Sequence, residues 1–470
     1  MSPEKKSQKT VLHITPHLGG GVGSVLLNYL AKARENSAFV HRVLSLEFAN
    51  EKAKMASKTT GFFLAAKMSE NPQGLLAAIS QADVVLIHWW NHPLLYAFLV
   101  RESLPPGRVI FWSHISGFSP PYVFNNPALH YPDLFVFTSP LSLDVPEVKN
   151  LREERKKALR VVWSTGGIEH AASVMPKPHS GFKIGYIGTV DYGKMHPHFL
   201  KMSSMVKIPD AQFVVCGGPS EKQIQEESMQ YGMGERFVFT GQISDVNNYL
   251  SEFDVFGYPL APYHFGTCEQ VLGESMAAGV PPVVLANRTE RYIVEDGVAG
   301  IVAADEEAYV RAIEGLYRNQ DLRKRLSESA RKSAKQRYSI DLMVNRWENI
   351  FIEALRFPKT ERQWTGKYRG KSVSPAHIFL ESLGSYGKEF LCSLSAHDEK
   401  DKEAAKDGIR KLYESSHLWN SRTRGTAHHY HYFFPEDNIL KCWSDLTCIE
   451  CNGSDNFTAD LNKTRKVVKH

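Results

Sequence analysis

Apolar positions along the 470-residue chain gather in short runs separated by stretches of helical period. In the first part these runs are Val11–Thr15, Val40–Leu46, Ala82–Ile87, Arg108–Trp112, Leu134–Thr138 and Leu159–Trp163. Each has the length of a strand and is apolar almost throughout, the pattern of parallel strands covered on both faces. A helical pattern follows the first run through Arg34. Met175–Ser180 is proline-rich and polar, and it reads as a domain boundary. The pattern then restarts with Phe182–Ile187, Phe213–Gly217, Phe237–Thr240, Val255–Gly257 and Pro282–Leu285, and it predicts a helix over Cys268–Ala278. Residues 306–357 are rich in helix formers. After Pro358 the strand-like runs stop. Helical stretches at His377–Ser385 and Glu399–Tyr413 remain, with an aromatic run at His428–Phe434 and a polar terminus that has little to bury.

Length and composition narrow this picture. A chain of 470 residues exceeds one compact core, so two or three domains are expected. The net charge of +5 fits an enzyme of anionic nucleotides, or one resting at the inner face of a membrane, as well as an ordinary soluble balance. No basic block is dense enough for a nucleic-acid arm, so nucleic acid is not an expected partner. The most apolar window, Val84–Val100, is interrupted by His88, Asn91, His92 and Pro93 and reads as strand, loop and helix rather than a bilayer span. Met1–Thr10 is polar, and six scattered cysteines make no disulfide framework. The expected compartment is the cytoplasm, which makes the sequons at Asn452, Asn456 and Asn462 chance matches.

Two glycine-rich turns between strand and helix carry the candidate chemistry. In the first, Gly19–Ser24, Gly20, Gly21 and Gly23 let backbone approach a ligand at a helix N-terminus. Tight helix–sheet packing explains such a turn equally well. In the second, Gly266, Thr267 and Cys268 lead into a helix whose first amides attract anions, with Glu269 and Glu274 in that helix. His88 and His92 sit at the C-terminal end of a strand, where open α/β sheets bind ligands. Trp89 and Trp90 beside them suit core packing or sugar stacking. Near the end, Cys442, Cys448 and Cys451 with His428, His429 and His431 offer metal donors, but no second close cysteine pair completes a zinc pattern, and no metal is expected.

The stretch Gly273–Val284, GESMAAGVPPVV, resembles the E-A-M-A-x-G-x-P-V-V segment of GT-B glycosyltransferases, especially glycosyltransferase family 4. Phe182–Gly188, Pro209–Gly218, Phe237–Gly241 with Asp245, Asp254–Leu260 and Glu290–Gly300 resemble further segments of that family in the same order. The resemblance spans Val11–Phe357. It implies Glu274 as the ribose ligand, the second glutamate of an E-x7-E pair. The first glutamate, which contacts the donor sugar, is replaced by Gly266. Glu269 and His264 are the residues placed to take over that contact. On the loop after the domain's first strand, the family's diphosphate-binding arginine and lysine fall on Thr189 and Lys194. The family's active-site histidine falls on His114, and His88 and His92 are added as acceptor or sugar contacts.

The resemblance therefore implies a GT-B α/β fold, two Rossmann-like domains with parallel sheets facing across a cleft, and a mainly helical extension. The expected domains are 1–175 and 180–340, a helix crossing back over 341–357, and the extension 358–470. The implied activity is hexosyl transfer, with retention, from a nucleotide-diphosphate sugar to a saccharide or lipid-linked saccharide, with no cofactor required. His114, Lys194 and Glu269 are the catalytic candidates. Gly20, Gly21, Gly23, Thr189, Lys194, Gly266, Thr267, Cys268 and Glu274 are the donor-site candidates. The missing arginine and glutamate keep two alternatives open: a non-catalytic binding subunit, or another GT-B enzyme such as a sugar-nucleotide epimerase.

Overall fold

The computed structural model describes residues 8–262, 264 and 266–446. Cys448, Cys451, the three sequons and the polar terminus lie outside the described residues. Two parallel sheets form the frame, and their strands are numbered β1–β13 in chain order. The first contains β1 (Lys9–Thr15), β2 (Phe39–Ser45), β3 (Phe63–Ala65), β4 (Val84–Trp89), β5 (Val109–Ser113), β6 (Leu134–Phe137) and β7 (Leu159–Val161). Its order is β7-β6-β5-β4-β1-β2-β3. The second contains β8 (Phe182–Ile187), β9 (Ala211–Cys216), β10 (Phe237–Gly241), β11 (Val255–Tyr258), β12 (Pro282–Leu285) and β13 (Ile301–Ala303), ordered β10-β9-β8-β11-β12-β13. Both are doubly wound α/β sheets, and the order reverses between β1 and β4 in one and between β8 and β11 in the other.

Alternation along the strands of the first sheet separates two apolar faces. Val11, Val43, Val84, Leu86, Ile110 and Trp112 face the helices Gly20–Asn36 and Ile340–Ala354, the latter contributing Trp347 and Phe351. Leu12, Leu44, Val85, Ile87, Trp89 and Phe111 point the other way. That second face is covered in part by the extension, whose Trp364, Phe379, Tyr430 and Trp443 belong to the same core. The extension is a set of short helices, among them Pro375–Leu383 and Ala427–Phe433. The first has Pro375 in its opening turn, and the Ser374 hydroxyl accepts the His377 amide as a cap. Its C-terminal end is tied to the sheet's loops. Asn91 Nδ2 donates to the Ser382 carbonyl at 3.0 Å, and Asn125 Nδ2 donates to that of Glu381 at 2.7 Å.

The second domain has its own core, which includes Trp163, Ile168, Ala171 and Val174. The chain thus crosses between domains near Trp163, ahead of the polar Met175–Ser180 segment, because these four apolar residues pack with the second sheet. The aromatic run of the extension lies in the first domain's core, where His429 and Tyr430 are buried. Among the described residues, no helix is long and apolar enough to cross a membrane.

Candidate active site at the facing sheet edges

In a doubly wound sheet the crevice for ligands lies beyond the carboxyl ends of the strands at the order reversal. In the second domain that point is the end of β8 and β11. The loop after β8 folds across the end of β11: the His196 amide donates to the Pro259 carbonyl at 3.0 Å, and the Ala261 amide donates to the Lys194 carbonyl at 2.8 Å. This seats Lys194 over the reversal. Its Nζ lies 2.9 Å from Glu269 Oε2, and the two side chains are 15% and 5% exposed. Tyr258, the last residue of β11, donates its hydroxyl to the same oxygen at 2.8 Å. Burial alone would raise the Glu269 carboxyl, but Lys194, His264 and the Tyr258 bond outweigh it and hold its pKa below the ordinary value. Glu269 is therefore a buried carboxylate. At the position of the family's arginine, the Thr189 carbonyl accepts the Tyr186 hydroxyl at 2.7 Å, which fixes the loop's first turn onto β8.

The helix after this loop runs Gln270–Ala277. It starts two residues later than the spacing predicts, because Glu269 holds a non-helical backbone ahead of it. The amides of Thr267 and Cys268 accordingly precede the first helical turn rather than belong to it. The Cys268 side chain is engaged at the domain boundary. Its thiol donates to the Ser164 carbonyl across the domain boundary at 3.1 Å, and burial pushes its pKa well up. Gly266 donates its amide to His264 Nδ1 at 3.0 Å and accepts the Thr289 hydroxyl at 2.9 Å. A Cβ at position 266 would collide with Glu269 Oε1 and lie 2.9 Å from His264 Nδ1. The Glu269 carboxylate thus occupies the space beside the residue that replaces the family's glutamate. Gly266→Ala is expected to displace that carboxylate from Lys194 and to cost about 1–3 kcal/mol, the usual range for overpacking. A thermal melt of the variant checks this, and an unchanged midpoint would contradict it.

His264 is not open to a sugar. Its side chain is 2% exposed, and its Nε2 lies 3.1 Å from Glu290 Oε1. Since Nδ1 accepts the Gly266 amide, the Nε2 proton is the one shared with Glu290. Burial lowers the His264 pKa, yet Glu290 and Glu269 outweigh it, so the net displacement is upward. Protonating Nδ1 would cost the bond from Gly266. Glu274 accepts from Gln270 Nε2 at 2.9 Å and lies 3.6 Å from His170 Nε2. Hydrogen bonding and charge from Glu274 raise the His170 pKa. His170 carried no signal in the sequence, since it lies in a short helix outside every motif.

Across the cleft, Gly20 adopts the left-handed conformation with φ +61, and Gly20 and Gly21 are exposed with nothing near their Cβ positions. They leave open backbone at the start of the helix Gly20–Asn36. Gly23 differs: it is buried, and its Cβ position is 3.1 Å from the Leu18 carbonyl carbon, so it serves helix–strand packing. His114 follows β5, donates its amide to the Trp89 carbonyl at 3.0 Å, and is half-buried at the sheet edge. His88 and His92 are only 0% and 1% exposed, which corrects their assignment as acceptor contacts. His88 bonds to His13 and His114, while His92 caps the helix Pro93–Arg101 and packs its ring 4.9 Å from that of His429. Trp89 and Trp90 are core residues.

The two domains touch along these edges. Asn28 Nδ2 donates to the Gly166 carbonyl at 2.6 Å, Arg288 lies 4.4 Å over the Phe118 ring, and Tyr292 bonds to Asp144. Among the described residues, His196, His198 and Glu306 form a group of metal-capable side chains. Two of its donors are already used: His198 Nδ1 is 2.6 Å from Glu306, and His196 Nδ1 accepts the His198 amide at 3.1 Å.

Residues 169–333 match the family model described as glycosyl transferases group 1. The O-antigen chain mannosyltransferase C of Escherichia coli is 24% identical over 177 residues, which are 36% of this chain and 46% of that protein. The chain thus spans less than half the length of the curated relatives that head the comparison. A glycosyltransferase structure from Rickettsia africae has a TM-score of 0.60 at 14% identity, covering 74% of this chain and 99% of its own. Anabaena HepE, solved in complex with UDP, has a TM-score of 0.59 at 13% identity, covering 73% of this chain and all of its own. The open glycine turn, the Lys194–Glu269 pair and the Glu274 helix all lie where two doubly wound sheets face each other, the GT-B fold, within which residues 169–333 are similar to group 1 glycosyl transferases.

Proposed function

We propose that this protein transfers a hexosyl group, with retention, from a nucleotide-diphosphate sugar to a saccharide or lipid-linked saccharide. The observation that carries this reading is the Lys194–Glu269 ion pair at the order reversal of the second sheet. The sugar-nucleotide relationships of the similar proteins support it: HepE is solved with UDP and with UDP-glucose, and the Escherichia coli relative is a mannosyltransferase.

In this reading the donor's diphosphate draws Lys194 away from Glu269. A charge-assisted contact of that kind contributes about 1.5–3 kcal/mol. The Gly20–Gly21 amides add neutral donors at a helix N-terminus, where the helix dipole favours negative charge. Together these groups stabilise charge developing on the leaving nucleotide diphosphate. Glu274 exchanges its bond to Gln270 for the ribose hydroxyls. Glu269, beside Gly266, meets the sugar from the side where the family's first glutamate stands. Domain closure excludes water and aligns the acceptor. No resident metal or organic cofactor takes part in any of these steps, and work at the inner face of a membrane is compatible with the +5 charge.

A thermal-shift screen against UDP-, GDP-, ADP- and TDP-sugars tests the reading directly. A true donor at a hundredfold excess over Kd stabilises by about 2.7 kcal/mol. Glu274→Ala is then expected to weaken that donor about tenfold or more, the equivalent of a hydrogen bond to a charged group. Calorimetry showing unchanged affinity in Glu274→Ala, or no sugar nucleotide that binds, would overturn the assignment.

A further inference from the structure

Three neighbouring strands of the first sheet each carry one histidine within an apolar run: His13 in β1, His41 in β2 and His88 in β4. Each shares the parity of a valine or leucine on the face toward the helices Gly20–Asn36 and Ile340–Ala354, so all three lie on that face. With His114 at the end of β5 they form a continuous hydrogen-bonded line. His114 Nε2 is 3.0 Å from His88 Nδ1, His88 Nε2 is 3.2 Å from His13 Nδ1, and His13 Nε2 is 2.9 Å from His41 Nδ1. His41 Nε2 continues to the Ser37 hydroxyl at 3.3 Å, and Ser37 donates to Glu348 Oε1 at 2.6 Å. The line crosses β5, β4, β1 and β2 in their spatial order, from the cleft edge to the opposite edge of the sheet.

The polarity of this line is determined. A carboxylate only accepts, so Ser37 must donate to Glu348 and accept from His41 Nε2. A neutral imidazole has one donor and one acceptor nitrogen, so the same order passes back through His13 and His88. Every ring is then the Nε2–H tautomer, and His114 is left with a lone pair on Nδ1 at the cleft. Burial depresses the pKa of all four rings, with His114 pushed down to about 3, so each is neutral at pH 7.

We infer that this line makes His114 Nδ1 a base for the acceptor hydroxyl by delivering the proton's charge to Glu348. The inference rests on the transferase reading above. As the acceptor oxygen bonds to the sugar's anomeric carbon, that carbon's bond to the diphosphate oxygen breaks, the nucleoside diphosphate leaves with the electron pair, and the acceptor's proton passes to His114 Nδ1. In concert His114 Nε2–H passes to His88, His88 to His13, His13 to His41, His41 to Ser37, and Ser37 to Glu348. Each ring exchanges one proton for another and stays neutral, and only Glu348 changes charge, from carboxylate to carboxylic acid. When the cleft opens, the shift runs backward and the proton leaves His114 for water. A buried imidazolium, which the apolar surroundings penalise, is never formed. Glu348 is half-buried at the far edge, where its other oxygen accepts the Ala38 amide at 3.3 Å. Tyr29, from the helix Gly20–Asn36, packs its ring against His13 and His41, Trp90 and Trp112 flank His114, and Phe351 packs on His41.

Glu348→Gln tests this, because glutamine keeps the oxygen that Ser37 donates to and cannot take the proton. With the donor and acceptor found for the wild type, kcat is expected to fall by about 100-fold, the lower end of what a general base contributes, with the donor KM unchanged. The rate is expected to return in Glu348→Asp, which restores a carboxylate for Ser37 to donate to. Wild-type kcat in Glu348→Gln would overturn the inference. A second measurement needs no substrate. In 15N-histidine-labelled protein, nitrogen shifts are expected to show Nε2–H tautomers at His13, His41, His88 and His114, and an Nδ1–H tautomer at His41 would overturn the line whatever the enzyme transfers. Failure to find any donor leaves that nitrogen readout intact, so the two claims fail separately.

Discussion

Lys194→Met is expected to remove donor binding and to destabilise the second domain by about 3–5 kcal/mol, the cost of leaving a buried charge without its partner. The charge left behind is Glu269, whose side chain is 5% exposed and whose remaining hydrogen-bond donor is Tyr258. In the wild type Glu269 titrates below its ordinary value. That depressed pKa contributes stability above the unfolded carboxyl range, and the contribution is lost as pH falls through the folded value. In Lys194→Met the balance reverses: burial, opposed only by His264 and Tyr258, favours the protonated acid. The folded variant then binds a proton more readily than the unfolded chain, so its deficit shrinks as pH falls from 7 toward 5. Urea midpoints of wild type and variant at both pH values check this. A deficit that is constant or grows on acidification would show that Glu269 is not the residue in distress. Lys194→Met combined with Glu269→Gln is expected to recover most of the stability and none of the donor binding, because it removes the stranded charge without restoring a cation.

Truncation after Phe357 is the second large effect, and it falls on the first domain. The extension contributes Trp364, Phe379, Tyr430 and Trp443 to the same core as Leu12, Val85, Trp89 and Phe111. Each large aromatic buries roughly 150–250 Å². At about 25 cal/mol per Å² that is roughly 4–6 kcal/mol per ring as an upper estimate. Losing a few of them exceeds the 5–15 kcal/mol by which a typical domain is stable. The polar ties add to this, since the truncation removes the Ser382 and Glu381 carbonyls to which the buried Asn91 and Asn125 amides donate. A chain ending at Phe357 is therefore expected to be insoluble or to bind ANS, while the separate core around Phe182, Val215 and Val283 still melts cooperatively. Recovery of a soluble truncation with both domains melting cooperatively would show the extension to be an appendage.

The fold was legible where apolar runs were long. Eleven strand positions follow from runs such as Phe182–Ile187 and Leu134–Phe137. Phe63–Ala65 and Ile301–Ala303 did not announce themselves: both are three-residue edge strands with one neighbour each, and Phe63 is 50% exposed, so neither builds a distinctive run. The extension's helices were legible, but their partner was not. Strands such as β4 and β5 are apolar on both faces, and nothing in such a run names what covers the second face. In the site, Lys194 and Glu274 follow from the family's spacing, and Glu269 from its place just after the Gly266 turn. The compensation of Gly266 by the carboxylate three residues on is a matter of side-chain direction, and the burial of His88, His92 and His264 is set by distant elements. His13 and His41 escaped notice because one histidine in an apolar strand reads as a tolerated core residue. The usable signal was their recurrence, one per strand in three strands that pair side by side.

That recurrence bears on descent. Each imidazole of the line satisfies the nitrogen of the next, so exchanging any one of His13, His41 or His88 for an apolar residue strands a polar nitrogen in the core, at about 1–3 kcal/mol. Losing two or three neighbours together strands no more than the first loss did. A lineage that abandons the line is thus under little pressure to stop halfway, and one that keeps it must keep every member. Among descendants of a common ancestor, the histidines at 13, 41 and 88 are expected to be inherited as a block, present together with an acid at 348 or replaced together by valine, leucine or isoleucine. Sequences carrying only one of them should be rare, and a collection in which the three positions vary independently would argue that each is packing on its own account.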